Sequence, residues 1–172
     1  VQGRREPGAA HHRDDAGHHD PLERLSALRT LFFAEPRSLG GRPVPLIRQS
    51  DGADRAPYPE NARLSLGDVT IVTAHVVGSN NNLRKGHPAA IAEHRARDRA
   101  TVAWIAAGFA AARQNRSKAV ILAMHADPFD RGNGLPGPSN RSGFAATLSA
   151  IADAAAGFAG PILVIHGDSH SY

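Results

Sequence analysis

The chain reads KAVILAMHADP over residues 118–128 and PILVIHGDSH over residues 161–170. In both stretches a short aliphatic run stops at a polar tip that carries histidine and aspartate. Runs of this length and composition predict strands. Between them, the Gly- and Pro-rich segment 131–140 is incompatible with regular structure. Phe144, Leu148, Ile151 and Ala155 then follow at helical spacing, closed by Gly157. Strand, loop, helix, strand is a βαβ unit, and its right-handed crossover makes the two strands parallel. Parallel strands bring their carboxyl ends to one edge, where such sheets bind ligands, so His125 is expected near Asp168 and His170.

Upstream of this unit, Val69 to Val77 (VTIVTAHVV) is a strong strand, with β-branched density suited to burial on both faces. Ala62 to Leu66 followed by Gly67-Asp68 reads as its hairpin partner. Val44 to Gln49 is a candidate edge strand, because Pro43 and Pro45 bar it from a sheet centre. Residues 91 to 114 form the longest helix, with Ile91, Val102, Ile105, Phe109 and Ala112 on one side. Glu93, Arg97 and Arg113 are expected off that side, with Trp104 flanking it. An earlier helix opens at Asp20-Pro21, presents Leu22, Leu25, Leu28 and Phe32 on one face, and stops before Glu35-Pro36. Tyr58 to Asn61 is loop.

The composition limits the function classes. With 172 residues and 41% hydrophobic content, one domain with a sizeable core is expected, over residues 20–172. Residues 1–19 are polar and irregular, with paired histidines at 11–12 and 18–19. No apolar run approaches a membrane span, and no signal-peptide pattern opens the sequence. There is no cysteine, which excludes thiolate metal sites and disulfides. The pI near 10.3 reflects a basic set made of Arg except for Lys85 and Lys118, while net charge is only +4. Without a basic run interleaved with aromatics, nucleic-acid binding is not expected.

Two imidazoles and one carboxylate, from His125, His170 and Asp168, suit a divalent metal such as Mn, Fe or Zn. The competing reading is that these are ordinary polar caps on strand ends. His75, within its strand, reads as a hydrogen-bonded core histidine. His166 is expected to point away from the other two, and His87 and His94 to lie on the surface. Gly78-Ser79-Asn80-Asn81-Asn82 follows a strand and favours left-handed turn conformations. It is either a plain loop or a site wall in which Asn80 and Asn81 hold a substrate oxyanion.

GSNNN at 78–82, LAMHADP at 122–128 and HGDSH at 166–170 together resemble the calcineurin-like metallophosphoesterase superfamily. DPLERLSALRTLFF at 20–33, YPEN at 58–61 and HVVGSNN at 75–81 resemble a largely uncharacterised bacterial branch of it, whose members are often exported. The resemblance covers about residues 11–172. It implies an αββα sandwich with a mixed sheet and flanking helices, a dinuclear metal site, and hydrolysis of phosphate mono- or diesters. His125 matches that superfamily's lone late histidine. Gly167, Asp168 and His170 match its terminal motif, with Asp168 where histidine is usual. The early Asp-x-His and Gly-Asp-x-x-Asp motifs have no counterpart here. The resemblance therefore implies a partial domain of a phosphoric ester hydrolase, weakly active or inactive alone. The alternatives are a non-catalytic degenerate chain, or a His-rich metal-binding module built on the N-terminal pairs.

Overall fold

The computed structural model describes residues 21–53, 56–129 and 142–168. The N-terminal histidine pairs, the 131–140 loop and His170 lie outside these residues. Eight main elements follow in order. They are helix α1 (Pro21–Phe32), strands β1 (Ile47–Arg48), β2 (Ala62–Leu66) and β3 (Val69–Ala74), helix α3 (Pro88–Gln114), strand β4 (Ala119–Met124), helix α4 (Ala145–Ala156) and strand β5 (Ile162–Ile165). A single turn, α2 (Gly78–Asn81), separates β3 from α3.

The strands form one five-stranded sheet in the order β1-β2-β3-β4-β5. β1, β2 and β3 are antiparallel neighbours, while β3, β4 and β5 run parallel. The βαβ reading of residues 118–166 is therefore correct, and a second such unit precedes it, from β3 through α3 to β4. β1 is the expected edge strand, trimmed to two residues. The hairpin at Gly67-Asp68 pairs Leu66 with Val69.

β3 ends at Ala74, three residues short of the expected Val77. The cause is local: the His75 N–H donates to Asn61 Oδ1 at 2.6 Å, and the Val76 N–H turns back to Ala74 O at 2.9 Å. With those donors diverted, the ladder stops.

Burial alternates strictly along β3 and β4, with Thr70, Val72, Ala74, Val120, Leu122 and Met124 buried. These side chains meet α3 and α4 in one core containing Ile105, Phe109, Ala112, Ile151 and Ala154, with Ile162 and Val164 packed against it. Ile105, Phe109, Val72, Val120 and Leu122 are fully excluded from water. Each such side chain contributes roughly 1.5–3 kcal/mol by burial. The helix can lie this close because residue 108 is glycine: a Cβ there would stand 2.8 Å from Val72 Cγ2. On the other face of the sheet, Leu66, Leu163 and Ile165 are exposed.

The buried stripe of α3 is His94, Arg97, Asp98, Thr101, Trp104, Ile105, Gly108, Phe109 and Ala112. Its spacing of three and four is helical throughout, but its first third is polar. Two sequence expectations are corrected here. Arg97 lies inside the stripe rather than off it, and His94 is buried rather than on the surface, while Trp104, expected beside the stripe, packs into the core. Leu22, Leu28 and Phe32 of α1 are about half exposed, and this helix is tied to the rest through Arg29, whose Nε donates to Glu60 Oε1 at 2.7 Å.

Candidate strand-end site

The three parallel strands deliver their exits to one edge, and backbone hydrogen bonds join those exits. The Ala126 N–H donates to Val76 O at 3.1 Å, and the Gly167 N–H to His125 O at 3.0 Å. This holds the tips in fixed register just where the sequence changes from aliphatic to polar.

His125 and Asp168 meet as expected, with Nε2 and Oδ1 3.5 Å apart. Asp168 has φ 76, in the left-handed region. Its carboxylate occupies the space above Gly78, where any Cβ would collide with Oδ2. Glycine at the start of the turn after β3 is thus what admits a carboxylate from beyond β5. A second contact was not expected: His166 Nδ1 lies 3.3 Å from Asp127 Oδ1, so His166 pairs with the other tip's aspartate rather than with His125 or Asp168. The sequences His125-Ala126-Asp127 and His166-Gly167-Asp168 therefore pair crosswise, each histidine with the other's aspartate. The pairs differ in exposure. Asp127 and His166 are the more enclosed, and Asp127 Oδ1 also accepts the Phe129 N–H at 2.9 Å. The His125 side chain is 69% exposed and Asp168 35%.

Beside these tips the chain makes a left-handed turn. Ser79, Asn80, Asn81 and Asn82 all have positive φ, between 51° and 59°. Left-handed backbone costs roughly 1–2 kcal/mol per ordinary residue, less for asparagine, and seldom extends beyond single residues. A run of four must be held by its surroundings. The Asn81 side chain is fully buried. Its Nδ2 donates to Asp98 Oδ1 at 3.2 Å and to Gly143 O at 2.9 Å, and its Oδ1 accepts from Arg97 Nη1. Its backbone carbonyl accepts from Arg97 Nη2 at 3.0 Å and His94 Nδ1 at 2.8 Å, which fixes the Nδ1–H tautomer. Asn80 Oδ1 accepts the Gly143 N–H at 2.9 Å, and its Nδ2 donates to Leu83 O at 3.2 Å. Both amides expected to face a substrate are engaged in holding the turn.

Arg97 is the centre of this arrangement and is 1% exposed. Every guanidinium N–H has a partner: Glu93 through Nε and Nη2, Asn81 through Nη1 and Nη2, and the His75 carbonyl through Nη1. Such complete satisfaction is what makes a buried guanidinium tolerable. Burial by itself would raise the Glu93 pKa, but hydrogen bonds from Arg97 and Asn82 and the Arg97 charge bring it below the usual carboxylate value. Thr147 Oγ1 donates to Asp98 Oδ1 at 3.0 Å and ties α4 into the same network.

His75 departs from the expected hydrogen-bonded core histidine. It sits just past β3, its Nδ1 is buried without a hydrogen-bond partner, and Glu60 Oε1 lies 3.7 Å away. Burial pushes its pKa down; the Glu60 charge opposes this, and the Arg97 and Arg29 charges reinforce it.

Among the described residues no group of three or more His, Asp or Glu side chains is arranged to hold a metal. His125 and Asp168 supply two donors, an imidazole nitrogen and a carboxylate oxygen, in one solvent-reachable place. That pair fits as part of a divalent-metal ligand set. Among the described residues no helix is long and apolar enough to cross a membrane. Comparisons with protein-family models, with curated proteins and with solved structures find no match.

Proposed function

We propose that the chain is a metallophosphoesterase-like domain whose strand-end site hydrolyses phosphoric esters weakly. One observation carries this reading: two parallel-strand exits distant in sequence place His125 and Asp168 3.5 Å apart, with Gly78 left bare to admit the carboxylate. His125, Asp168 and His170 are the proposed ligands. A divalent metal bound there would supply Lewis-acid polarisation of a phosphoryl oxygen and lower the pKa of a bound water. The protein's own part is positional. Asp168 contributes negative charge, His125 a neutral nitrogen, and the Asp127–His166 pair fixes the adjoining loop so that the two tips keep their spacing. Activity is expected to be weak because the sequence contains no counterpart of the two carboxylate motifs that complete such sites. The exposed Leu66, Leu163 and Ile165 fit the αββα expectation, since that architecture seats a second sheet on this face.

The test is metal binding by calorimetry together with turnover of p-nitrophenyl phosphate, using Mn, Fe and Zn in turn. Weak, metal-dependent turnover lost in both His125→Ala and Asp168→Ala is the expected result. Metal binding and turnover indifferent to both substitutions would refute it.

A second reading, a non-catalytic chain, is favoured by the engagement of Asn81 and Asn80 in the interior. Absence of binding with every metal, in a protein that unfolds cooperatively, would select it.

A further inference from the structure

On the α3 side of the sheet, remote from the strand exits, a cleft of about 360 Å³ opens between β1, β2 and the middle of α3. Ile47, Arg48, Gln49, Arg63, Trp104 and Ala107 are among its lining residues, and none of the six belongs to the strand-end loops. Its walls are fixed. The Trp104 Nε1–H donates to Thr73 O at 3.2 Å. Gln49 Nε2 donates to Ala100 O at 2.8 Å, and its Oε1 accepts from Asn61 Nδ2 at 2.8 Å.

The two arginines of the cleft differ in their pairing. Arg48 is committed: it forks onto Asp51 at 2.9 and 2.7 Å and donates through Nη1 to Phe33 O at 2.8 Å. Arg63 is half-buried, with its guanidinium carbon 4.9 Å over the Trp104 ring. Among the described residues it makes no hydrogen bond and no ion pair. Burial pushes its pKa down, and among the described residues no carboxylate opposes that. With Arg48 and Asp51 cancelling, the described lining residues carry one uncompensated positive charge on a pre-oriented, planar fork. That is the chemistry that recognises a carboxylate or phosphate in bidentate fashion. The apolar Ile47 and Ala107 complete a small concave site.

We infer that this cleft binds a small organic oxyanion, with Arg63 as the anchoring donor and Trp104 as the platform that orients it. Carboxylate and phosphate monoester share this recognition, and the measurement separates them. Trp104 is the only tryptophan in the chain, so its emission reads the cleft directly. Butyrate and butyl phosphate are titrated at constant ionic strength against the full chain, with inorganic phosphate as the probe lacking an apolar part. The expected result is a saturable emission change for at least one organic anion, stronger than for inorganic phosphate, and weakened roughly tenfold or more in Arg63→Gln. Ala107→Leu, which fills the cleft while keeping the charge, is expected to abolish it, and this covers the case in which Arg63→Gln folds poorly. An emission change that is linear in concentration, or saturable but equal in Arg63→Gln and Ala107→Leu, overturns the inference. So does loss of binding in Asp168→Ala, which would assign the anion to the strand-end site. Retention in Asp168→Ala separates this cleft from the hydrolase reading.

Discussion

Replacing Asn81 tests whether a buried polar network holds the left-handed turn. Asn81→Ala removes three side-chain hydrogen bonds, two of them to the charged groups of Arg97 and Asp98. Bonds to charged partners are worth about 1.5–3 kcal/mol each when one side is left buried, although Arg97 Nη1 keeps the His75 carbonyl and Asp98 keeps Thr147. Allowing for those remaining partners, the loss is about 3 kcal/mol. Alanine at φ 53 adds about 1 kcal/mol of backbone strain, giving about 4 kcal/mol in all. Against a domain stability of roughly 5–15 kcal/mol this is large but survivable. Asn81→Gly loses the same bonds without the strain, so it is expected to be about 1 kcal/mol the more stable of the two. Urea unfolding followed by Trp104 emission measures both. With a slope near ~2 kcal/mol/M, the alanine midpoint falls by about 2 M. A cost below about 1 kcal/mol for alanine would refute the claim that the network holds the turn. A glycine variant no more stable than alanine would refute the strain.

Four further outcomes follow from the geometry. Gly78→Ala sets a Cβ against the Asp168 carboxylate and is expected to weaken metal binding while leaving the unfolding midpoint nearly unchanged, as calorimetry and urea titration together would show. Gly108→Ala forces α3 off Val72 and should cost about 1–3 kcal/mol in urea unfolding, with no effect on metal binding. Phe109→Ala, at a fully buried site, should cost about 3–5 kcal/mol in the same assay. For His75, whose folded pKa lies below its unfolded value, the unfolded chain takes up the proton first. Its contribution is therefore intact above about pH 6.5 and is lost as pH falls below that toward the folded pKa. His75→Gln should flatten this part of a stability-against-pH curve.

The sheet was legible because its determinants are local. β3, β4 and β5 are dense in Val, Ile and Leu, and the turn residues Gly67-Asp68 and Gly157 mark their connections. Parallel pairing followed from the helix between the strands, and it placed His125 beside Asp168 without any structure. What the sequence hid is long-range. Charge at Arg97 ordinarily marks a solvent face, so it was read outward, although its three-and-four spacing with His94 and Thr101 pointed inward. Glu93, one turn back on α3, is a local partner, but the Asn81 side chain and carbonyl and the His75 carbonyl, which complete the guanidinium's bonding, come from elsewhere in the chain. The β3 boundary was misplaced for the same reason, because Val76 and Val77 look like strand until Asn61 takes the His75 N–H. The crosswise Asp127–His166 pair was visible as two His-x-Asp repeats, but their pairing depends on how the loops turn after the ladder ends.

The Asn81–Gly143 contact spans 62 residues, and Thr147–Asp98 spans 49. Closing loops of that length sacrifices chain entropy before any bond compensates for it. The hairpin of β2 and β3 and the helical turns of α3 close far shorter loops and should form sooner. The strand-end edge is thus expected to lock later in folding than the β2–β3 hairpin and the turns of α3. Once locked, release of Gly143 frees four residues from an unfavourable conformation together, so the turn should open as a unit. Amide hydrogen exchange at Asn80, Asn81 and Gly143 is expected to share one opening free energy, below that of Val72 and Leu122.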